Sequence, residues 1–112
     1  MAPIFHNKAL IDICTQYMYI LTVNITWDPN KAETNYKKHG IRFSDAEMVL
    51  YDTFAMTIEE HIVANERRYV TVGTDAVGRI LAVVYSHRSD TIRLISARKT
   101  TPKERTQYEE GI

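Results

Sequence analysis

Alternating apolar and polar positions mark several β-strands in this chain. The segment 19–27 (YILTVNITW) is rich in β-branched and aromatic residues and predicts a first strand. Three stronger runs follow at 68–74, 79–86 and 91–97. The loops between these runs are short enough for antiparallel hairpins. A weaker apolar stretch at 54–58 indicates an edge strand, whereas the acidic connection 59–66 lacks a clear period.

A helix is predicted between the first strand and the remaining strands. Asp28 and Pro29 supply an N-cap residue and a proline for the first helical position. Gly40 supplies a C-terminal stop after three basic or titratable residues. Together these signals predict a helix from 29 to 39.

Two further helices are predicted from capping-box patterns. Ser44 and Glu47 have the spacing of a capping box and predict a second helix from 45 to 51. Thr101 and Glu104 repeat the pattern around a proline and open a terminal helix that runs almost to the end of the chain.

This order of elements predicts an α+β fold with a single antiparallel sheet of about four to five strands. Two helices precede most of the strands, and one C-terminal helix follows them. The 112 residues suffice for one hydrophobic core. We assign 19–112 to this domain and treat 1–18 as an N-terminal extension of doubtful status. Since the strand pattern begins just after Met18, the hypothesis is that translation starts there.

The composition excludes several classes of protein. A hydrophobic fraction of 45% and a charged fraction of 25% are ordinary for a globular domain. The single cysteine, Cys14, cannot form an internal disulfide, and the histidines lack zinc-site spacing. The apolar run 9–25 is too interrupted to span a membrane, and we find no export signal. These features predict a cytoplasmic protein, and the lack of nucleotide-binding or zinc motifs predicts an activity without metal or cofactor.

Charge is unevenly distributed along the chain, although the formal net charge is zero. The segment 43–66 carries six acidic residues and neither Lys nor Arg, whereas 67–105 carries nine basic residues against three acidic ones. Such asymmetry predicts a basic face that binds phosphate groups. The alternative is that these arginines line the edge of a sheet and pair with the acidic segment.

The first predicted helix carries candidate binding residues on one face. Lys31, Asn35 and Lys38 recur at helical spacing, so they form either a phosphate-facing stripe or an ordinary solvated surface. Since Asn35 weakens helix propensity, we expect its amide to have a specific hydrogen-bond partner. His39 is either a helix-terminal cation or a proton-transfer group, because histidine titrates near neutrality.

Arginines near strand ends form a second candidate set. Arg68 begins one predicted strand, and Arg88 and Arg98 lie near the ends of the last two. If they converge at one end of the sheet, their guanidinium groups would bind a phosphodiester and stabilise charge on its oxygens. Tyr85 and Tyr108 are candidates for stacking on bases, the alternative being ordinary packing with an exposed hydroxyl.

In their order and spacing, these residues resemble the BrnT toxin family. The resemblance covers about residues 25 to 109 and rests on WDPNK, Asn35, KHGIRF, Glu66 and Arg68 before YVTVG, GRILAVVYSHR, IRLISARK, Glu104 and Tyr108. It implies a RelE-like fold and a ribonuclease toxin of a type II toxin–antitoxin module. It also implies a cognate BrnA-like antitoxin with a ribbon-helix-helix domain, through which alone the complex would contact DNA.

The resemblance places the family's helix and sheet signatures on the residues already selected. We therefore predict that the catalytic residues are His39, Lys31, Arg68, Arg88 and Arg98, and that the RNA-binding residues are Asn35, Lys38, Tyr85 and Tyr108. The predicted function is metal-independent RNA cleavage that inhibits translation and growth until the antitoxin neutralises it. The alternative is a non-catalytic antitoxin-binding module that acts in operon autoregulation.

Overall fold

Five strands form one sheet in the order β1-β5-β4-β3-β2. The computed structural model describes residues 24–111. Its strands are β1 (Asn24–Trp27), β2 (Met56–Val63), β3 (Glu66–Thr74), β4 (Ile80–Arg88) and β5 (Thr91–Lys99). Its helices are α1 (Pro29–His39), α2 (Phe43–Ala46), which continues as a 3₁₀ helix at Glu47–Tyr51, and α3 (Pro102–Glu110). The predicted α+β class, with two helices before the hairpins and one after them, is confirmed.

Several predictions about the N-terminal part of the chain lie outside the described residues. They are the extension 1–18 with the start at Met18, Cys14, and the part of the first predicted strand that precedes Asn24. Within residues 24–111, no helix is long and apolar enough to cross a membrane.

Strand β1 departs from the antiparallel pattern predicted for the sheet. It pairs in parallel with β5, so that Asn24 lies opposite Thr91 and Trp27 lies opposite Leu94. The other three pairings are antiparallel and join strands that follow one another in the sequence. Strands β1 and β5 are separated by most of the domain, so no tight turn fixes their relative direction. The sheet is therefore mixed.

The helix caps predicted for α1 and α3 are confirmed. The Asp28 side chain accepts a hydrogen bond from the Asn30 backbone amide, and Gly40 ends α1 in the left-handed conformation at φ 71°. Both reciprocal bonds of the capping box between Thr101 and Glu104 are present in α3. Local sequence signals are sufficient at these helix ends.

The capping box predicted for the second helix is wrong. Helix α2 begins at Phe43 with Arg42 as its N-cap, and no side chain caps it. Ser44 therefore lies inside the first turn. Phe43 is buried in the core, so tertiary packing rather than a cap fixes where this helix begins.

The acidic connection predicted at 59–66 is mostly strand. Strand β2 extends to Val63 and turns into β3 through Ala64 and Asn65, whose φ angles are 50° and 65°. Two consecutive residues with positive φ make the hairpin turn that matches the twist of the sheet. Glu59 and Glu60 are consequently paired with β3, and their register to the arginines of that strand is fixed.

The two faces of the sheet differ in what covers them. One face packs against α2 and its 3₁₀ continuation and holds the larger cluster of buried side chains, which includes Phe43, Leu50 and Leu94. The opposite face carries a smaller apolar cluster around Val70 and Val72, which is partly covered by Tyr108 of α3. We call this second side the arginine face. Arg68, Arg88 and Arg93 belong to it by strand alternation, and Arg98 belongs to it because of a register shift in the β4–β5 pairing.

Candidate functional site

Three arginines surround one carboxylate on the arginine face. Glu66 Oε2 accepts hydrogen bonds from Arg93 Nη2 at 2.7 Å and from Arg88 Nη2 at 3.4 Å. Glu66 Oε1 accepts from Arg68 Nε at 3.3 Å. The hydrogen bond from Arg93 is the main cause that lowers the pKa of Glu66, so the carboxylate is ionised at neutral pH. With three guanidinium groups and one carboxylate, the cluster has a net charge of +2.

The register of the strands produces this cluster. Arg68 lies opposite Ser86 across β3 and β4, and Ser86 lies opposite Arg93 across β4 and β5. Directly paired residues project from the same face of a sheet, so Arg68 and Arg93 flank Ser86. Arg88 lies two residues further along β4, on the same face.

A cavity of about 430 Å³ opens beside the cluster at the turn between β4 and β5. It is lined by Ser86, Arg88, Ser89, Asp90, Thr91 and Arg93. The side chain of Arg88 is 77% exposed, whereas that of Glu66 is only 10% exposed. The carboxylate of Glu66 is therefore recessed, and the guanidinium group of Arg88 is exposed to solvent.

Arg98 does not join this cluster, which corrects the predicted convergence of Arg68, Arg88 and Arg98. It lies five residues beyond Arg93 on β5, about 16 Å along the strand. Its two terminal nitrogens donate to the carboxylate of Glu104 at 2.9 and 3.0 Å. Arg98 therefore attaches α3 to the sheet, and Arg93 takes the third place in the cluster.

The predicted cationic stripe of α1 borders a second depression. A groove of about 360 Å³ lies between α1 and β5 and is lined by Asn30, Lys31, Thr34, Asn35, Lys38, His39, Ile95 and Ser96. Lys31 and Lys38 are exposed, and His39 is half-buried. The structure thus brings these three predicted residues together, at the edge of the strand that also carries Arg93.

Asn35 fastens α1 to the edge of β5. Its Oδ1 accepts from the Ala97 backbone amide at 3.1 Å, and its Nδ2 donates to the Ala97 carbonyl at 3.0 Å. Nδ2 also donates to the Ile41 carbonyl at 3.1 Å, and the residue is 5% exposed. The expected specific partner is confirmed. The predicted RNA-binding role is corrected, because the amide is buried and used by the backbone.

The two tyrosines predicted to stack on bases differ in burial. Tyr85 is 1% exposed, and its hydroxyl lies 2.8 Å from Thr71 Oγ1 within the core. Tyr108 packs on the smaller apolar cluster, with its hydroxyl donating to Asp52 and lying 2.9 Å from Thr74 Oγ1. Burial raises the pKa of the Tyr108 phenol. Burial of the Tyr85 ring corrects its predicted RNA-binding role, whereas stacking of a base on half-buried Tyr108 stays a prediction.

The sequence analysis did not assign three residues of this face to the site, namely Arg93, Glu66 and His61, although Glu66 and Arg93 lie within the motifs of the family resemblance. His61 lies opposite Arg68 in the β2–β3 pairing and therefore shares its face, with Nδ1 3.8 Å from a Glu59 carboxylate oxygen. Treating 59–66 as a connection hid the register of His61 and Glu66. Arg93 could have been found, because it alternates with buried Ile92 and Leu94 inside a recognised strand.

The acidic segment 43–66 also pairs with arginines outside this cluster. Such pairing was the alternative to a phosphate-binding basic face in the sequence analysis. Glu60 forms an ion pair with Arg67, and Asp45 lies 3.7 Å from Arg79. At Glu66, however, three cations share one anion, and positive charge remains in excess. Across the described part of the chain, no group of three His, Cys, Asp or Glu side chains could hold a metal ion.

Comparisons with known proteins agree on one family. A family model described as ribonuclease toxin, BrnT, of type II toxin-antitoxin system matches residues 27–104, a range that contains the groove and the arginine cluster. The 1.1 Å crystal structure of the Brucella abortus ribonuclease toxin BrnT is similar, with 29% sequence identity and a TM-score of 0.55. That match covers 71% of this chain and 99% of the Brucella chain. No curated protein matches this sequence.

Proposed function

Because this chain belongs to the BrnT family of ribonuclease toxins of type II toxin–antitoxin systems, we propose that it is an endoribonuclease that cleaves RNA without a metal ion. The observation that carries this proposal is the cluster of Arg68, Arg88 and Arg93 around Glu66. Guanidinium groups bind phosphate oxygens in a fixed geometry, and their positive charge stabilises negative charge that builds on those oxygens. Inhibition of translation and growth follows from loss of RNA.

The proposed reaction transfers two protons and displaces one oxygen at phosphorus. The ribose 2′-oxygen attacks the adjacent phosphorus, the 5′-oxygen leaves, and the products are a 2′,3′-cyclic phosphate and a 5′-hydroxyl end. A base takes the 2′-hydroxyl proton, and an acid gives a proton to the leaving 5′-oxygen. Cations stabilise the phosphate oxygens in the transition state.

We assign these roles to residues of the cluster and the groove. Arg68, Arg88 and Arg93 stabilise the phosphate that reacts, and His39 is the group that transfers a proton. Lys31 and Lys38 contribute positive charge along the flanking backbone of the RNA. This division is supported by the strand that the two sites share, because Ser96 of β5 lines the groove and Arg93 of the cluster lies three residues before it on that strand.

The proposed antitoxin is a BrnA-like protein with a ribbon-helix-helix domain, so the toxin contacts DNA only through the complex. The exposure of Arg88 and the net charge of the cluster favour an acidic antitoxin segment on the surface that RNA would occupy. Inhibition would then be occlusion of the site. We place the toxin in the cytoplasm, where its RNA substrate and its antitoxin are made.

Expression from an inducible promoter tests the proposed function. We expect growth to stop and total RNA to be cut when the chain is expressed alone. Co-expression of the neighbouring gene product is expected to restore both growth and intact RNA. Normal growth with intact RNA, in cells that accumulate folded protein, would instead favour the non-catalytic antitoxin-binding module.

Removal of divalent metal is expected to leave RNA cleavage unchanged within about twofold, because arginines rather than a metal ion stabilise the phosphate in the proposed mechanism. The measurement compares cleavage of a defined RNA in excess EDTA and in Mg²⁺, at one ionic strength so that screening is equal. Activity that disappears in EDTA and returns with added Mg²⁺ would contradict metal independence.

A further inference from the structure

Glu66 places a negative charge at the centre of a surface proposed to bind an anion. By charge alone this arrangement weakens attraction for phosphate. The carboxylate is nevertheless recessed in the sheet and accepts a hydrogen bond from each of the three surrounding arginines. Its position therefore indicates that Glu66 orients the surrounding guanidinium groups rather than adjusting the overall charge of the surface.

We propose that Glu66 is a positioning residue, which holds the guanidinium groups of Arg68 and Arg93 in the orientation that receives an RNA phosphate while Arg88 closes on it. This inference rests on the proposed function and names the residue that organises its site. Arg68 donates to Glu66 through Nε, which leaves its two terminal nitrogens for a second acceptor. A fork oriented this way offers two parallel donors to a phosphate.

Arg93 makes the shortest of the three contacts with Glu66. Arg93 is held at 2.7 Å and Arg68 at 3.3 Å, and both side chains are less exposed than that of Arg88. The Arg88 side chain is the most exposed of the three, so Arg88 is the arginine most readily moved to a ligand. Arginines that are ordered before binding lose less side-chain entropy when RNA arrives.

The depressed pKa of Glu66 fits an anchor rather than a proton acceptor. The hydrogen bond from Arg93 stabilises the ionised carboxylate, and this lowers the pKa of Glu66. A general base that works near neutrality needs a pKa close to the working pH. Glu66 therefore acts through the arginines that it holds.

The substitution Glu66→Gln distinguishes a positioning role from a simple effect of charge. The two explanations predict opposite changes in the affinity for RNA. The substitution adds one unit of positive charge, which alone tightens RNA binding. Loss of the ionised anchor releases the guanidinium groups, and we expect binding to weaken about tenfold. The probe is a short 2′-O-methyl RNA oligonucleotide, which lacks the attacking hydroxyl, and its affinity is measured by fluorescence anisotropy at fixed salt.

Glu60→Gln is the matched control. It also removes one acidic charge from an ion pair with an arginine, Arg67, but on the other face of the same hairpin. We expect this variant to bind the oligonucleotide as tightly as the unmodified protein or slightly more tightly. If Glu66→Gln binds as tightly as Glu60→Gln, the positioning role is wrong.

Arg93→Lys provides a second test if Glu66→Gln folds poorly. It keeps the positive charge and removes the guanidinium fork, and we expect weaker oligonucleotide binding. Where both single variants fold, the double variant is expected to bind no worse than either, because Arg93 and Glu66 act as one unit. Independent, additive losses would overturn the inference.

Oligonucleotide binding also separates this inference from the proposed function. Binding without cleavage by the unmodified protein would contradict the ribonuclease proposal, and the two variants would still test Glu66. Failure of the unmodified protein to bind would remove the site and the positioning role together. For a cleaving protein, we expect Glu66→Gln to raise KM more than it lowers kcat, which a general loss of folded protein does not produce.

Discussion

Replacing Arg88 by alanine is expected to slow RNA cleavage about 100-fold or more, the effect typical of removing one preorganised donor from a charged transition state. The free energy of unfolding should change little. The Arg88 side chain is 77% exposed, and its contact to Glu66 is the longest of the three. Exposed ion pairs contribute about 0 to 1 kcal/mol. Single-turnover cleavage and chemical denaturation measure the two effects on the same preparation.

Arg67→Ala is the matched control for this prediction. Arg67 precedes Arg68 on β3, points to the other face of the sheet and pairs with Glu60. Like Arg88→Ala, the substitution Arg67→Ala removes one positive charge from the β3–β4 strand pair. General electrostatic attraction for RNA therefore falls to a similar extent in both variants. We expect cleavage to stay within about threefold of the unmodified rate. Equal cleavage by folded Arg67→Ala and Arg88→Ala would place the reacting phosphate elsewhere.

The sequence was a good guide where structure depends on neighbouring residues. The ends of α1 are fixed by Asp28, Pro29 and Gly40, and the start of α3 by a capping box, all within a few residues of the backbone groups they satisfy. Such signals can be read without knowing the fold. Positions near strand ends likewise selected two of the three clustered arginines, Arg68 and Arg88, and the family resemblance selected the same two.

The rest of the site depends on strand register, which cannot be determined from residues that are neighbours in the sequence. Arg93 and Arg98 occupy the same strand and the same face, yet only Arg93 reaches Glu66. A register shift between β4 and β5, near Val84 and Tyr85, puts both arginines on this face although five residues separate them, and about 16 Å of strand keeps Arg98 away from Glu66. The parallel pairing of β1 depends on long-range packing in the same way. Residue type identified the chemistry, and pairing across strands decided which residues meet.

Asn35 shows the converse, a polar residue selected for binding whose side chain is needed by the fold. Asn35→Ala is expected to lower the free energy of unfolding by about 3 to 5 kcal/mol. The substitution removes three buried hydrogen bonds and leaves the Ala97 amide and the Ala97 and Ile41 carbonyls without this partner. A small domain has about 5 to 15 kcal/mol of stability in total. Urea denaturation followed by circular dichroism measures the loss.

Asn30→Ala is the control, since Asn30 is an exposed residue of the same helix that lines the same groove. We expect its free energy of unfolding to change by no more than about 0.5 kcal/mol. Asn35→Asp sharpens the comparison, because it preserves size and an acceptor for Ala97 but cannot donate to either carbonyl when ionised. It should be at least as unstable as Asn35→Ala. Equal denaturation midpoints for Asn30→Ala and Asn35→Ala would show that the amide is dispensable for folding and return Asn35 to the set of candidate RNA-binding residues.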